Sequence, residues 1–146
     1  MYSLVVIGTL DGFAAGALGL FLSYVAPMFG AGNFIAETPE SIVLGRKLSR
    51  RESHVTGMLL HLIASGFFGF LYAWAVQTGF VSGFTIIGIL VWSLLLTLFA
   101  GLVLMPLEGH GLFGRRHDAW FMADAMLAHL LWGFAYLALV RLWLVG

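Results

Sequence analysis

The 22 residues from Phe84 to Met105, FTIIGILVWSLLLTLFAGLVLM, contain no charged side chain. Wound as an α-helix at about 1.5 Å per residue, such a stretch spans the roughly 30 Å hydrocarbon core of a bilayer. In hydrocarbon every backbone N–H and C=O must be bonded within the protein, and a helix achieves this inside one segment. Three further stretches reach the roughly 20 residues that a crossing needs, at about 3–28, about 54–77 and about 119–145. The chain is therefore expected to be all-α, an integral-membrane four-helix up-down bundle forming a single transmembrane domain over residues 1–146. Composition agrees: 61% of the residues are hydrophobic and 10% charged, with a mean hydropathy of +1.00, whereas soluble domains carry about 25% charged residues. The first apolar run has no basic residues before it and is too long for a cleaved signal peptide, so it is expected to be a retained helix.

The basic residues give an orientation. Arg46, Lys47, Arg50 and Arg51 lie between the first two stretches, and Arg115 and Arg116 between the last two. The connection QTGFVSG between the second and third has none. By the positive-inside rule both long loops face the cytoplasm and both termini lie outside, as expected of a protein in a prokaryotic plasma membrane. Arg141, near the outer end of the last helix, can snorkel to the surface. Arg50, Arg51, Arg115 and Arg116 could also attract anionic lipid headgroups, although topology alone accounts for them. With zero net charge and no basic stripe, nucleic acid is not an expected partner. With no cysteine, disulfides, thiolate metal sites and a cysteine nucleophile are excluded.

The chain is written twice. PMFGAGNF (Pro27–Phe34) and PLEGHGLF (Pro106–Phe113) both fit P-x-x-G-x-G-x-F. Each is followed by an Arg-Arg pair and then by M-L-x-H-L, at Met58–Leu62 and Met126–Leu130. The three features recur in one order, which points to a duplicated transmembrane hairpin, repeat 1 at about 1–78 and repeat 2 at about 79–146. Two crossings per copy make the repeats parallel, related by a pseudo-two-fold axis along the membrane normal. Proline is expected to end the first and third helices. In the first loop, TPESIVLGRKLSRRES can form a short amphipathic surface helix starting near Thr38 or Ser41.

The repeat pairs His61 with His129. Both fall roughly 15–20 Å along their helices from the basic flanks, on parallel helices that stand diagonally in an up-down bundle. Such a pair could ligate a b-type haem, with room from Gly8, Gly12, Gly16 and Gly19 on the first helix and Gly88 and Gly101 on the third. In this the pattern resembles the bis-histidine bundle of the cytochrome b families, but Trp74 and Leu142 stand where a second histidine pair would fall. The alternative use is an interhelical hydrogen bond, for which Ser65, Tyr72, Thr97 and Tyr136 are available. A metal site is a weaker candidate. It would draw on His54, His110, His117 and Asp124 beside the two histidines, but no helix carries H-x-x-x-H or E-x-x-H. Gly8, Gly12 and Gly16 form a small-x-x-x-small ridge, primarily a helix-packing signal.

Asp11 lies inside the first apolar stretch, where a carboxylate needs a partner or a proton. Arg141 lies toward the same outer end, and an Asp11–Arg141 ion pair is expected. Asp124 could orient an imidazole or bond locally. No nucleophile elbow, phosphate-binding loop or helically spaced acid pair occurs. The segments PLEGHGLFG and HLLWGFAYLAL, with Trp120 between them, resemble small uncharacterised prokaryotic inner-membrane proteins of the YagU type. That resemblance covers the last two helices and the His61 segment, and it implies no activity. The expected role is a non-catalytic accessory or scaffold subunit, partnered by the bilayer and by other membrane subunits or further copies of itself. The alternatives are a single-haem electron carrier and an oligomeric transport or ligand-binding bundle.

Overall fold

The structure is a computed structural model describing residues 3–25, 42–43, 46–47, 49–107, 109–115 and 120–145. Four long helices account for nearly all of it: α1 (Leu4–Val25), α2 (Arg50–Gln77), α3 (Ile86–Leu107) and α4 (Phe121–Val145). Each is long and apolar enough to cross a membrane. Between α1 and α2 the described residues form a two-residue antiparallel ladder, Ile42–Val43 against Arg46–Lys47. At these four residues the backbone is not the surface helix expected there; Thr38, Ser41 and the remainder of that stretch before Ser49 lie outside the described residues. Ile42 and Val43 are β-branched and favour an extended backbone, and α2 does not begin until Arg50.

That start is set by a capping box. Ser49 Oγ accepts from the Glu52 N–H at 3.3 Å, and the Ser49 N–H donates to Glu52 Oε2 at 2.9 Å, satisfying two otherwise unpaired donors. Thr85 caps α3 in the same manner, its Oγ1 accepting from the Gly88 N–H at 3.0 Å. Pro106 does not end α3, which runs on to Leu107 through a π-helical turn at Ala100–Leu104. In α-helical register the proline ring would collide with the Leu102 carbonyl, and the wider turn relieves this. Beyond it, Gly109, Gly111 and Gly114 adopt positive φ as the chain turns back. Phe113 comes to lie against Gly101, where an added Cβ would stand 2.6 Å from its ring.

α1 packs against both α2 and α4, and α4 also against α3. The α1–α2 approach is the closest, because small residues face each other along antiparallel helices. A Cβ at Gly12 would stand 2.5 Å from the Ser65 carbonyl oxygen, and one at Gly16 would stand 2.5 Å from the Ser65 side chain. A Cβ at Gly8 would collide with Ala73. The α2 side of this contact, Ser65-x-x-x-Gly69-x-x-x-Ala73, is a second small-residue ridge that reading α1 alone had missed. Between α2 and α3 aromatic rings fill the space: Tyr72 lies edge-on to Trp92 and Phe68 edge-on to Phe99. The contact within the first hairpin is thus tight on small residues, whereas the contact between the hairpins, α2 against α3, is filled by larger rings.

Substitution separates tight from open glycines. Gly12→Leu must displace backbone and is expected to lower the detergent melting temperature by the equivalent of more than about 2 kcal/mol. Gly57, with nothing within 4 Å of an added Cβ, should accept alanine with a gain of about 0.5–1 kcal/mol. Equal melting curves for the two variants would show that the α1–α2 contact is not formed.

Candidate functional site

Tyr136, fully buried, anchors the interior. Its ring stacks on Trp132 at 5.1 Å between centroids and stands edge-on to Tyr72 at 6.0 Å. Each of these rings spends its polar atom on backbone: Tyr136 Oη donates to the Gly69 carbonyl at 2.9 Å, Trp132 Nε1 to the Gly12 carbonyl at 3.3 Å and Tyr72 Oη to the Gly83 carbonyl at 3.3 Å. Glycine leaves its carbonyl open to such a donor, and the first two bonds tie α4 to α2 and to α1.

Further from the α2–α3 connection the polar contacts centre on His129. Ser93 Oγ donates to the His129 carbonyl at 3.0 Å, and Thr97 Oγ1 lies 2.9 Å from His129 Nδ1. The same hydroxyl is 2.8 Å from the Ser93 carbonyl and 3.4 Å from the Met126 sulfur. It has one proton, and the bond to the carbonyl four residues back is the one a threonine makes within its own helix, so we assign the proton there. His129 then carries its proton on Nδ1, donates it to Thr97, and keeps the Nε2 lone pair. His61 faces α1 instead: a Cβ at Gly19 would stand 3.9 Å from its Nε2. That nitrogen is buried and has no hydrogen-bond partner among the described residues. The two imidazoles are near enough to interact electrostatically, and each leans on the other helix of its own hairpin.

The glycines that might make room for a macrocycle are largely taken. Gly88 faces the Tyr72 hydroxyl, Gly101 faces Phe113 and Met122, and Gly8, Gly12 and Gly16 face α2. Gly19 is the exception, and it borders a cavity of about 120 Å³ between α1 and α4 that is lined also by Ala15, Leu22, Leu131 and Trp132. Among the described residues no group of three potential metal ligands comes together. His54 and Asp124 are exposed, His110 is half-buried, and His117 lies outside the described residues. Arg51 and Arg115 are exposed, Arg50 opens α2, and Arg116 lies outside the described residues, as does the first P-x-x-G-x-G-x-F segment.

Asp11 corrects the expected ion pair. It is 5% exposed, and its Oδ1 accepts from Trp143 Nε1 at 3.2 Å. Arg141 Nη2 instead donates to the Phe84 carbonyl at 3.2 Å. Positions 141 and 143 point about 200° apart around a helix, so only one of them can face α1, and it is the tryptophan. Asp11 Oδ2 is buried with no partner among the described residues. Comparison of the chain with protein-family models, with curated proteins and with solved structures yields no match.

Thr97→Val removes the bond to His129 and should cost about 0.6 kcal/mol, the average for interhelical hydrogen bonds in membranes, and at most about 1.7 kcal/mol, whereas Thr97→Ser should retain most of it. Nitrogen NMR of labelled histidine should find the His129 proton on Nδ1 in the parent protein. A proton on Nε2 would overturn the assignment.

Proposed function

We propose that the chain is a small integral membrane protein, a four-helix up-down bundle built from a duplicated hairpin, acting as a non-catalytic accessory or scaffold subunit of a larger membrane complex. The observation that carries this reading is how the buried donors are spent. Tyr136, Trp132 and Ser93 each bond a backbone carbonyl of another helix, tying α4 to α2, to α1 and to α3, and α1 and α2 themselves touch backbone to backbone. Helices pinned this way resist the sliding that a transport cycle needs, which favours a fixed shape offered to a partner. Purified from its native membrane in mild detergent, the protein should elute with stoichiometric partner subunits or as a defined oligomer. A lone monomer under those conditions would overturn the reading.

A second reading, the single-haem carrier, draws on two details. His61 Nε2 is buried without a partner, and the Nδ1 bond of His129 leaves its Nε2 free for ligation. A macrocycle would have to enter beside Gly19, the one glycine of the set with ordinary space around it. An intense Soret absorption, lost in His61→Ala and in His129→Ala, would decide for haem. A colourless protein after haem-supplemented expression would decide against it.

The orientation is part of the proposal: basic loops in the cytoplasm, both termini outside. The chain has no cysteine, so single cysteines report cleanly. On intact cells an impermeant maleimide should label Ser82→Cys and spare Arg115→Cys. The reverse pattern would invert the topology.

A further inference from the structure

We propose that Asp11 is a proton-binding site, its Oδ2 holding a proton exchanged with the outer aqueous phase. The inference rests on the reading of α1 as a membrane-crossing helix with its N-terminus outside. The carboxyl is 5% exposed and seven residues into α1, about 10 Å along the helix axis. Trp143 supplies one bond, to Oδ1, and Oδ2 receives none among the described residues. An ionised carboxylate in hydrocarbon needs donors on both oxygens or a cation beside it.

Neither neighbouring helix supplies them. On α4, the Tyr136 hydroxyl is near enough to sense the charge of Asp11, but its proton goes to the Gly69 carbonyl. Arg141 is exposed and bonded to the Phe84 carbonyl. On α2, the ionisable residues after Glu52 are His54 and His61, toward the inner end, and Tyr72, bonded to the Gly83 carbonyl. A proton is the ligand that neutralises the group without a further side chain. The route to the outer phase is short on that reading, because Asp11 lies about two helical turns from the start of α1 and its partner Trp143 lies near the end of α4.

A carboxylic acid in an apolar site reacts with dicyclohexylcarbodiimide. The acid proton passes to a carbodiimide nitrogen while the carboxyl oxygen adds to the central carbon. The O-acylisourea so formed rearranges to a stable N-acylurea, with nothing oxidised and no group lost. Membranes containing the full chain are treated with this reagent and the adduct is located by peptide mass spectrometry. The adduct is expected at Asp11, with occupancy falling as the outer pH is raised, and is lost in Asp11→Asn. A water-soluble carbodiimide is expected to modify the exposed Glu52 and Asp124 and to spare Asp11. An infrared band of a protonated carboxyl, present in the parent and missing in Asp11→Asn, gives a readout independent of the reagent. If the water-soluble reagent modifies Asp11 as readily as Glu52, α1 does not lie in hydrocarbon and the membrane reading fails too. If Asp11 resists both reagents and the infrared band is missing, or if its labelling ignores pH, the proton site alone is overturned.

Discussion

Everything else in this protein is arranged around the contact between α1 and α2. Gly8, Gly12 and Gly16 meet Ser65, Gly69 and Ala73, and the two backbones come as close as their atoms permit. On the proposed membrane-spanning reading, lipid tails are as apolar as the side chains, so association depends on close packing and interhelical hydrogen bonds. Small residues serve both needs. They maximise van der Waals contact, and they bare the Gly12 and Gly69 carbonyls that Trp132 and Tyr136 then use. The aromatic interior depends on this: with bulkier residues on α1, α4 could not reach those carbonyls.

The second hairpin solves the same problem with different parts. Gly133 lies under Ile89 and Ser93, and Thr97 and Ser93 bond His129 across the interface. This interface is held by hydroxyl groups and the first by bare backbone, so the two copies of M-L-x-H-L end in different surroundings. His129 is fastened at one nitrogen, while His61 has an unmatched one. Three buried polar atoms are left without partners among the described residues, on Asp11, His61 and Trp92. In an interior where most donors are spent on carbonyls, those three mark where chemistry can still enter.

Much of the fold was legible in the sequence because long apolar stretches leave few options. The four apolar stretches of helical length are four helices, the single-segment structure that satisfies its backbone groups within itself. The α1 ridge was visible because three glycines at intervals of four lie on one helix face. Its α2 counterpart used the same spacing with serine and alanine in two places and was overlooked. The capping box at Ser49–Glu52 was equally present in the letters. The ladder at Ile42–Lys47 was not foreseen, because a charged, amphipathic-looking stretch carries no strong signal for either form.

The sequence by itself determined that this is a chain of four apolar helices with nearly all its charges between them or at their ends, because hydropathy, helix length and basic-residue placement act locally. It also singled out His61, His129 and Asp11, since an ionisable group in an apolar run is conspicuous wherever its neighbours lie. Only the tertiary structure decided whom they meet: Thr97 for His129, Gly19 for His61, and Trp143 in place of Arg141 for Asp11. Those choices turn on helix rotation. Two residues along a helix reverse the direction a side chain faces, and rotation is set by the packing of every helix against its neighbours.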